Sequence, residues 1–148
     1  PAVVREMLAV NLEAGIELAR TVSGRRSMED DGSILFIAST YAHVGAPGQI
    51  GYCASKGAVT ATVRAMAVEL ARRGIRVNSI SPGLVRTRMT EEATGQLTPE
   101  QISALVDKHP LGAGAPEDVA RAAVFLLSPQ TRWITGTDVV VDGGLTAQ

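Results

Sequence analysis

A tyrosine and a lysine stand four positions apart in "GYCASKGAV", residues 51–59. On a helix, positions i and i+4 project from one face, so Tyr52 and Lys56 act on the same small volume. A phenol with a pKa of about 10 is a poor base near neutrality, whereas a nearby ammonium favours the phenolate and lowers that value. The pair therefore makes a usable proton donor and acceptor. The spacing alone is common, and most such pairs are a packed ring beside a solvated amine. What raises this pair above that background is Ser39, thirteen residues earlier, at the end of the apolar run "SILFIAS" over 33–39. Open α/β sheets place ligands at the carboxyl ends of their strands, where such a hydroxyl and the phenol meet over one substrate oxygen. Thr40 offers the same chemistry, and either hydroxyl also serves simply by bonding to its own turn.

Several elements must position these groups. Apolar residues Val4, Leu8, Leu12, Ile16 and Ala19 recur at three-to-four spacing and predict an amphipathic helix from Val3 to about Thr21. "EDDGS" ends it. The run 33–39 is short, continuous and bounded by turn residues, as a strand buried on both faces would be. A loop with Gly45, Pro47 and Gly48 leads to a second helix over about 52–72, stopped by Gly74, and "IRVNSIS" predicts a second buried strand. The polar stretch that follows, to about residue 109, predicts a partly helical surface excursion. "PEDVARAAVFLLS", 116–128, has proline at a helix start and acids in the first turn, and "TGTDVVVDGG" supplies a third strand.

Strands alternating with helices predict an α/β fold: a doubly wound parallel sheet joined by right-handed crossovers. Three strands are few for such a sheet, and the run 33–39 would leave an apolar edge unprotected if it came first. Strands N-terminal to this chain, or from another chain, are expected beside it.

Composition narrows the function. The chain has 148 residues, 45% hydrophobic and 20% charged, which suits a single globular domain with a real core. A net charge of -1 with scattered arginines offers no footprint for nucleic acid or an anionic membrane, and no apolar run reaches spanning length. Small-molecule chemistry in the cytoplasm is the expectation. A lone cysteine, Cys53, forms no internal disulfide and is not marked as an activated thiol. Tyr41 lacks a lysine at position 45, so it has no partner to tune it. His43 and His109 have no second histidine or carboxylate at metal spacing, which predicts no metal site and loop or surface roles for both. Trp133 reads as core or as a subunit contact.

Asn11, Ser39, Tyr52 and Lys56, at spacings of 28, 13 and 4, resemble the tetrad of the classical short-chain dehydrogenase/reductase family. "RVNSISPGLVRTRM" resembles that family's strand and P-G-x-V-x-T turn, "APEDVARAAVFLLS" its penultimate helix, and "ITGTDVVVDGG" its last strand. The match runs over nearly the whole chain in the family's order. The resemblance implies an NAD(P)-dependent oxidoreductase that interconverts a secondary alcohol and a ketone by hydride transfer. It makes Tyr52 the general acid/base and Ser39 a second donor to the substrate oxygen. It gives Lys56 the ribose of the nicotinamide, and Asn11 a water that links the lysine to a proton relay. Pro82, Gly83, Val85 and Thr87 match the turn that borders the nicotinamide. As plain structure, Pro82-Gly83 would only end a strand.

Residues 88–110 correspond to the substrate lid, so the domain reads as 1–148 with that excursion. A 3-oxoacyl-carrier-protein reductase and a dehydrogenase of sugars, polyols or cyclic alcohols look alike at this end of the family. The competing reading is a non-catalytic assembly subunit. The helices at 3–21 and 52–72 and the last strand resemble the family's subunit contacts, implying a homodimer or tetramer. The family's opening strand, its T-G-x-x-x-G-x-G phosphate loop, its selector of NAD against NADP and its N-N-A-G are not found. "GAPGQIG" and "GAGAP" lack the spacing and context of a pyrophosphate site. The chain therefore reads as the C-terminal, catalytic portion of a Rossmann-like domain, and alone it is expected to bind dinucleotide weakly and to be inactive.

Overall fold

The computed structural model describes residues 2–148. The chain opens with α1 (Ala2–Leu8), a π-helical turn (Ala9–Glu13) and α2 (Ala14–Val22), which together occupy the stretch predicted as one helix. β1 (Ser33–Ile37) is followed by α3 (Ile50–Leu70) and β2 (Arg76–Pro82). Two short helices, α4 (Arg88–Thr94) and α5 (Pro99–Val106), form the excursion, and α6 (Pro116–Leu127) and β3 (Asp138–Val141) close the fold. The strands lie in the order β1-β2-β3, all parallel, with Ile34 opposite Val77 and Ser79 opposite Asp138.

Local signals account for the element ends. α5 begins with a reciprocal cap: the Thr98 hydroxyl accepts from the Gln101 amide while the Gln101 side chain accepts from the Thr98 amide, just before Pro99. At α6, Pro116 again fixes the first turn, and the Asp118 carboxylate accepts from the Ala115 amide at 2.8 Å. α1 crosses the entrance of α3 closely because Gly51 has no side chain there. A Cβ at that position would lie 3.1 Å from Val4 Cγ2 and 3.3 Å from Met7 Sδ.

Alternate residues of a strand face opposite sides of the sheet. Ile34 and Phe36 of β1 and Val77 of β2 pack with Val63, Met66, Ala67 and Leu70 of α3. Ser33 and Arg76, of the other parity, reach α6 instead: the Ser33 hydroxyl and the Arg76 guanidinium both donate to the Leu126 carbonyl. The sheet is thus covered by helices on both faces, as the doubly wound class requires. Both connections, β1 to β2 and β2 to β3, step the same way across the sheet but pass over opposite faces. They have opposite hands, which corrects the expectation of right-handed crossovers throughout. The reason is coverage: one hand for both would stack α3 and α6 on a single face and leave the other bare.

β1 is an edge strand among the described residues, and Ile37 at its end is half exposed. Trp133 is 89% exposed, so it is not a core residue. Asn78 is fully buried; its amide donates to the Ile134 carbonyl at 2.9 Å, and its oxygen accepts from the Thr137 amide at 3.2 Å, which sets where β3 begins. Asn78→Leu removes both bonds, leaving the Thr137 amide without its side-chain acceptor and the Ile134 carbonyl with only the Arg76 guanidinium at 3.4 Å, at a cost of roughly 1–3 kcal/mol. Thermal unfolding is expected to report a loss of that size; a variant as stable as the parent would dismiss Asn78 as the strand's anchor.

Candidate functional site

Three of the predicted residues, Ser39, Tyr52 and Lys56, stand around the carboxyl end of β1. After Ile37 the chain leaves the sheet and Ser39 caps a 3₁₀ turn, Thr40–Ala42, its Oγ accepting from the Tyr41 amide at 3.2 Å. The plain role foreseen for a strand-end hydroxyl is therefore real, and it fixes the Ser39 side chain while leaving its proton available. Thr40 is buried in the same turn. Tyr41, which the sequence gave no role, meets Tyr52 edge to face with centroids 5.9 Å apart. That contact ties the serine turn to the first turn of α3.

Tyr52 and Lys56 share one face of α3, with the Lys56 ammonium 5.7 Å from the centre of the Tyr52 ring. Lys56 Nζ also donates to the Ile37 carbonyl at 3.0 Å, so the lysine reaches back to the strand end just before Ser39. Burial pushes the Lys56 ammonium below its ordinary value. Its charge is held at a cost that an anionic or hydroxyl-rich neighbour would offset. Among the described residues, the Tyr52 hydroxyl donates to no protein group.

Asn11 lies within the π-helical turn, the widened coil that often marks functional sites. Its amide donates to Ser55 Oγ at 3.1 Å, and Ser55 in turn donates to the Tyr52 carbonyl at 2.8 Å. Ser55 is completely buried and immediately precedes Lys56. Neither the π turn nor Ser55 was foreseen, since one extra residue in a coil leaves the apolar pattern almost unchanged.

The Pro82 turn follows β2. Gly83 donates to the Val141 carbonyl at 3.0 Å, and Val85 forms a parallel bridge with Gly114. The two bonds of that bridge use Arg86 N–H and Leu84 C=O, so among the described residues the Val85 amide has no backbone partner. The Val85 carbonyl accepts from Thr90 Oγ1 at 2.7 Å. Thr87 caps α4, accepting from the Thr90 amide at 3.2 Å. A cavity of about 340 Å³ adjoins this turn, lined by Leu84, Val85, Leu111, Gly114, Val119 and Asp142, and contains none of Ser39, Tyr52 and Lys56.

His43 lies exposed in a turn, as expected, but it has a carboxylate partner. His43 Nε2 donates to Asp138 at 2.6 Å, and the same carboxylate accepts from Ser79 Oγ at 2.5 Å and Ser81 Oγ at 2.6 Å. The partner lies 95 residues away, beyond any local spacing. His109 is buried at 7% exposure rather than on the surface, with both ring nitrogens bonded to backbone. Among the described residues no cluster of metal-ligating side chains forms, and no helix is long and apolar enough to cross a membrane.

The sequence profile of the family described as Enoyl-(Acyl carrier protein) reductase matches residues 1–146. The 3-oxoacyl-acyl-carrier-protein reductase FabG of Rickettsia felis is 38% identical over 141 residues, 95% of this chain and 57% of that protein. A short-chain dehydrogenase family protein from Francisella tularensis superposes with a TM-score of 0.91 at 26% identity, over 99% of this chain and 63% of that one. A 4-hydroxyisoleucine dehydrogenase complexed with NADH gives a TM-score of 0.87 at 38% identity, over 95% of this chain and 58% of that one. The chain thus spans a little over half the length of the relatives it matches. With the profile match running over nearly every residue and the likeness to FabG over 95% of this chain's length, the chain belongs to the short-chain dehydrogenase/reductase family.

Proposed function

We propose that this chain forms the proton-transfer end of an oxidoreductase that interconverts a secondary alcohol and a ketone with NAD or NADP. The observation that carries the reading is the placement of Tyr52 and Lys56 on one face of α3, with Lys56 bonded to the Ile37 carbonyl beside the Ser39 turn. The nicotinamide, when bound, supplies or accepts the hydride. Everything else falls to the protein. Tyr52 gives its proton to the substrate oxygen or takes one back, and Lys56 stabilises the phenolate left behind. Ser39 donates to the same oxygen. Asn11 and Ser55 brace the α3 backbone at Tyr52 from the π turn, and water at Asn11 would continue the proton path.

The residues present fit the nicotinamide end of such a cofactor. The Val85 amide has no backbone partner to give up, and Lys56 has donors to spare for ribose hydroxyls. Val85 would hold the carboxamide through its backbone, with Pro82 and Thr87 setting the turn. The NADH-bound dehydrogenase supports a nicotinamide dinucleotide and recommends NAD as the first to try. For substrate, a 3-oxoacyl chain on a carrier protein ranks first because of the likeness to FabG, with residues 88–110 as the lid that selects it. The exposed Val124, Phe125, Leu127 and Trp133 support a homo-oligomer, and we assign the protein to the cytoplasm.

The test offers the intact protein NADH or NADPH with 3-oxoacyl thioesters and simple ketones and follows nicotinamide absorbance. Turnover is expected, and Lys56→Met is expected to raise the cofactor KM by about tenfold or more while lowering kcat. A folded protein that oxidises neither cofactor with any ketone overturns the reading.

A further inference from the structure

His109 stands where three segments meet. It follows α5, so it closes the excursion over residues 88–108; its ring lies against Gly83 and Leu84; and it neighbours Asp142, just past β3. The Leu84 amide donates to Nε2 at 3.0 Å, which requires that nitrogen to carry no proton. The proton is then on Nδ1, which donates to the Leu105 carbonyl at 3.0 Å. One tautomer of the neutral ring satisfies both bonds. Neither the imidazolium nor the other tautomer does, because each puts a proton on Nε2 facing the Leu84 N–H.

We propose that His109 is a positioning residue: its neutral ring fastens the end of the lid to the turn that carries Val85, and its protonation releases that turn. The inference rests on the functional reading above only in what the turn is for; the clamp itself stands on geometry. Leu84 immediately precedes Val85, so the bond to Nε2 fixes the direction in which the Val85 amide points. The space is tight as well, since a Cβ on Gly83 would lie 3.0 Å from Nε2.

Charged groups approach the ring from several segments. Asp142 neighbours it from just past β3. Burial opposes the Asp142 charge, but hydrogen bonds from Thr146 Oγ1 and from the Gly144 and Thr146 amides, together with the charge of His109, hold its carboxyl below the usual range. The ring thus sits between that carboxylate and the Leu84 N–H. Along the chain, Asp107 and Lys108 flank His109, and the turn contributes Arg86; all three are exposed, where solvent screens them. The Leu105 carbonyl and Gly83 add no titratable group.

Nitrogen-15 NMR of the intact protein tests this without relying on turnover. Long-range imidazole spectra are expected to show the Nδ1–H tautomer, and hydrogen exchange of the Leu84 amide, corrected for its intrinsic pH dependence, to speed up about tenfold as His109 protonates. In His109→Gln the carboxamide oxygen accepts in place of Nε2 but does not titrate, so that step is expected to vanish. An Nε2–H tautomer, a Leu84 amide indifferent to His109 protonation, or the same step in the glutamine variant overturns the clamp. In enzyme that turns over, the cofactor KM is expected to rise on the acid side with kcat little changed, and the glutamine variant to flatten that limb; a limb that persists overturns it too. Absence of any nicotinamide-linked turnover would sink the functional reading alone, and the NMR titration would still decide the clamp.

Discussion

Tyr52→Phe is expected to lose about 10²–10⁴-fold in kcat for nicotinamide-linked turnover, with cofactor KM and oligomeric state close to those of the parent. The substitution deletes one oxygen and leaves the ring. The edge-to-face contact with Tyr41, the Lys56 ammonium beside the ring and the Ser55 bond to the residue-52 carbonyl all survive it. The serine turn therefore stays in place, as does the Lys56 bond to the Ile37 carbonyl. Only the proton is missing. Steady-state kinetics alongside sedimentation separates the cases: a variant retaining most of its kcat would show that the proton comes from elsewhere, whatever the family pattern implies.

The second large effect belongs to Gly83→Ala. A Cβ there would stand 2.9 Å from the Asp142 Cα, 3.0 Å from its Cβ and 3.0 Å from His109 Nε2. The Asp142 Cα is backbone and cannot rotate aside, so β2 and β3 must part where Pro82 opposes Val141, or the turn must lift away from the sheet. Overpacking of this kind costs typically about 1–3 kcal/mol. Lifting the turn also displaces the Val85 amide, so a rise of about tenfold or more in cofactor KM is expected beside the fall in Tm. Calorimetry and cofactor titration check both. An alanine variant with unchanged Tm and KM would mean that the turn has room the geometry does not show.

Local chemistry was legible in the sequence; partners brought from afar were not. Periodicity found the helix around Leu12, bounding loop and stop signals found the one around Val63, and the apolar runs found β1 and β2 to within two residues, because these signals are written in neighbouring side chains. Tyr52 and Lys56 were legible for the same reason. His43 was not, since its carboxylate is Asp138 on the last strand, and His109 was not, since its partners are backbone groups that have no letter in the sequence. Asn11 was marked only by family likeness, and its actual partner, Ser55, is 44 residues away. The hand of the crossovers escaped because it depends on which sheet face the earlier helices had already taken.

Asp138 has a bearing on the order in which the site is built. His43, one residue beyond the turn that Ser39 caps, is held by a carboxylate on the third strand, and so are the hydroxyls of Ser79 and Ser81 on the second. Closing a loop of that length is slow compared with coiling α3, which needs only its own neighbours. During synthesis from the N-terminus, the helix bearing Tyr52 and Lys56 is free to form early and to hold the serine turn through the Tyr41–Tyr52 contact, whereas the carboxylate that holds His43 arrives only with residue 138. The bonds that gather this turn and the second strand onto one carboxylate thus come last, and a ribosome-bound chain stopped short of residue 138 would leave His43, Ser79 and Ser81 without it.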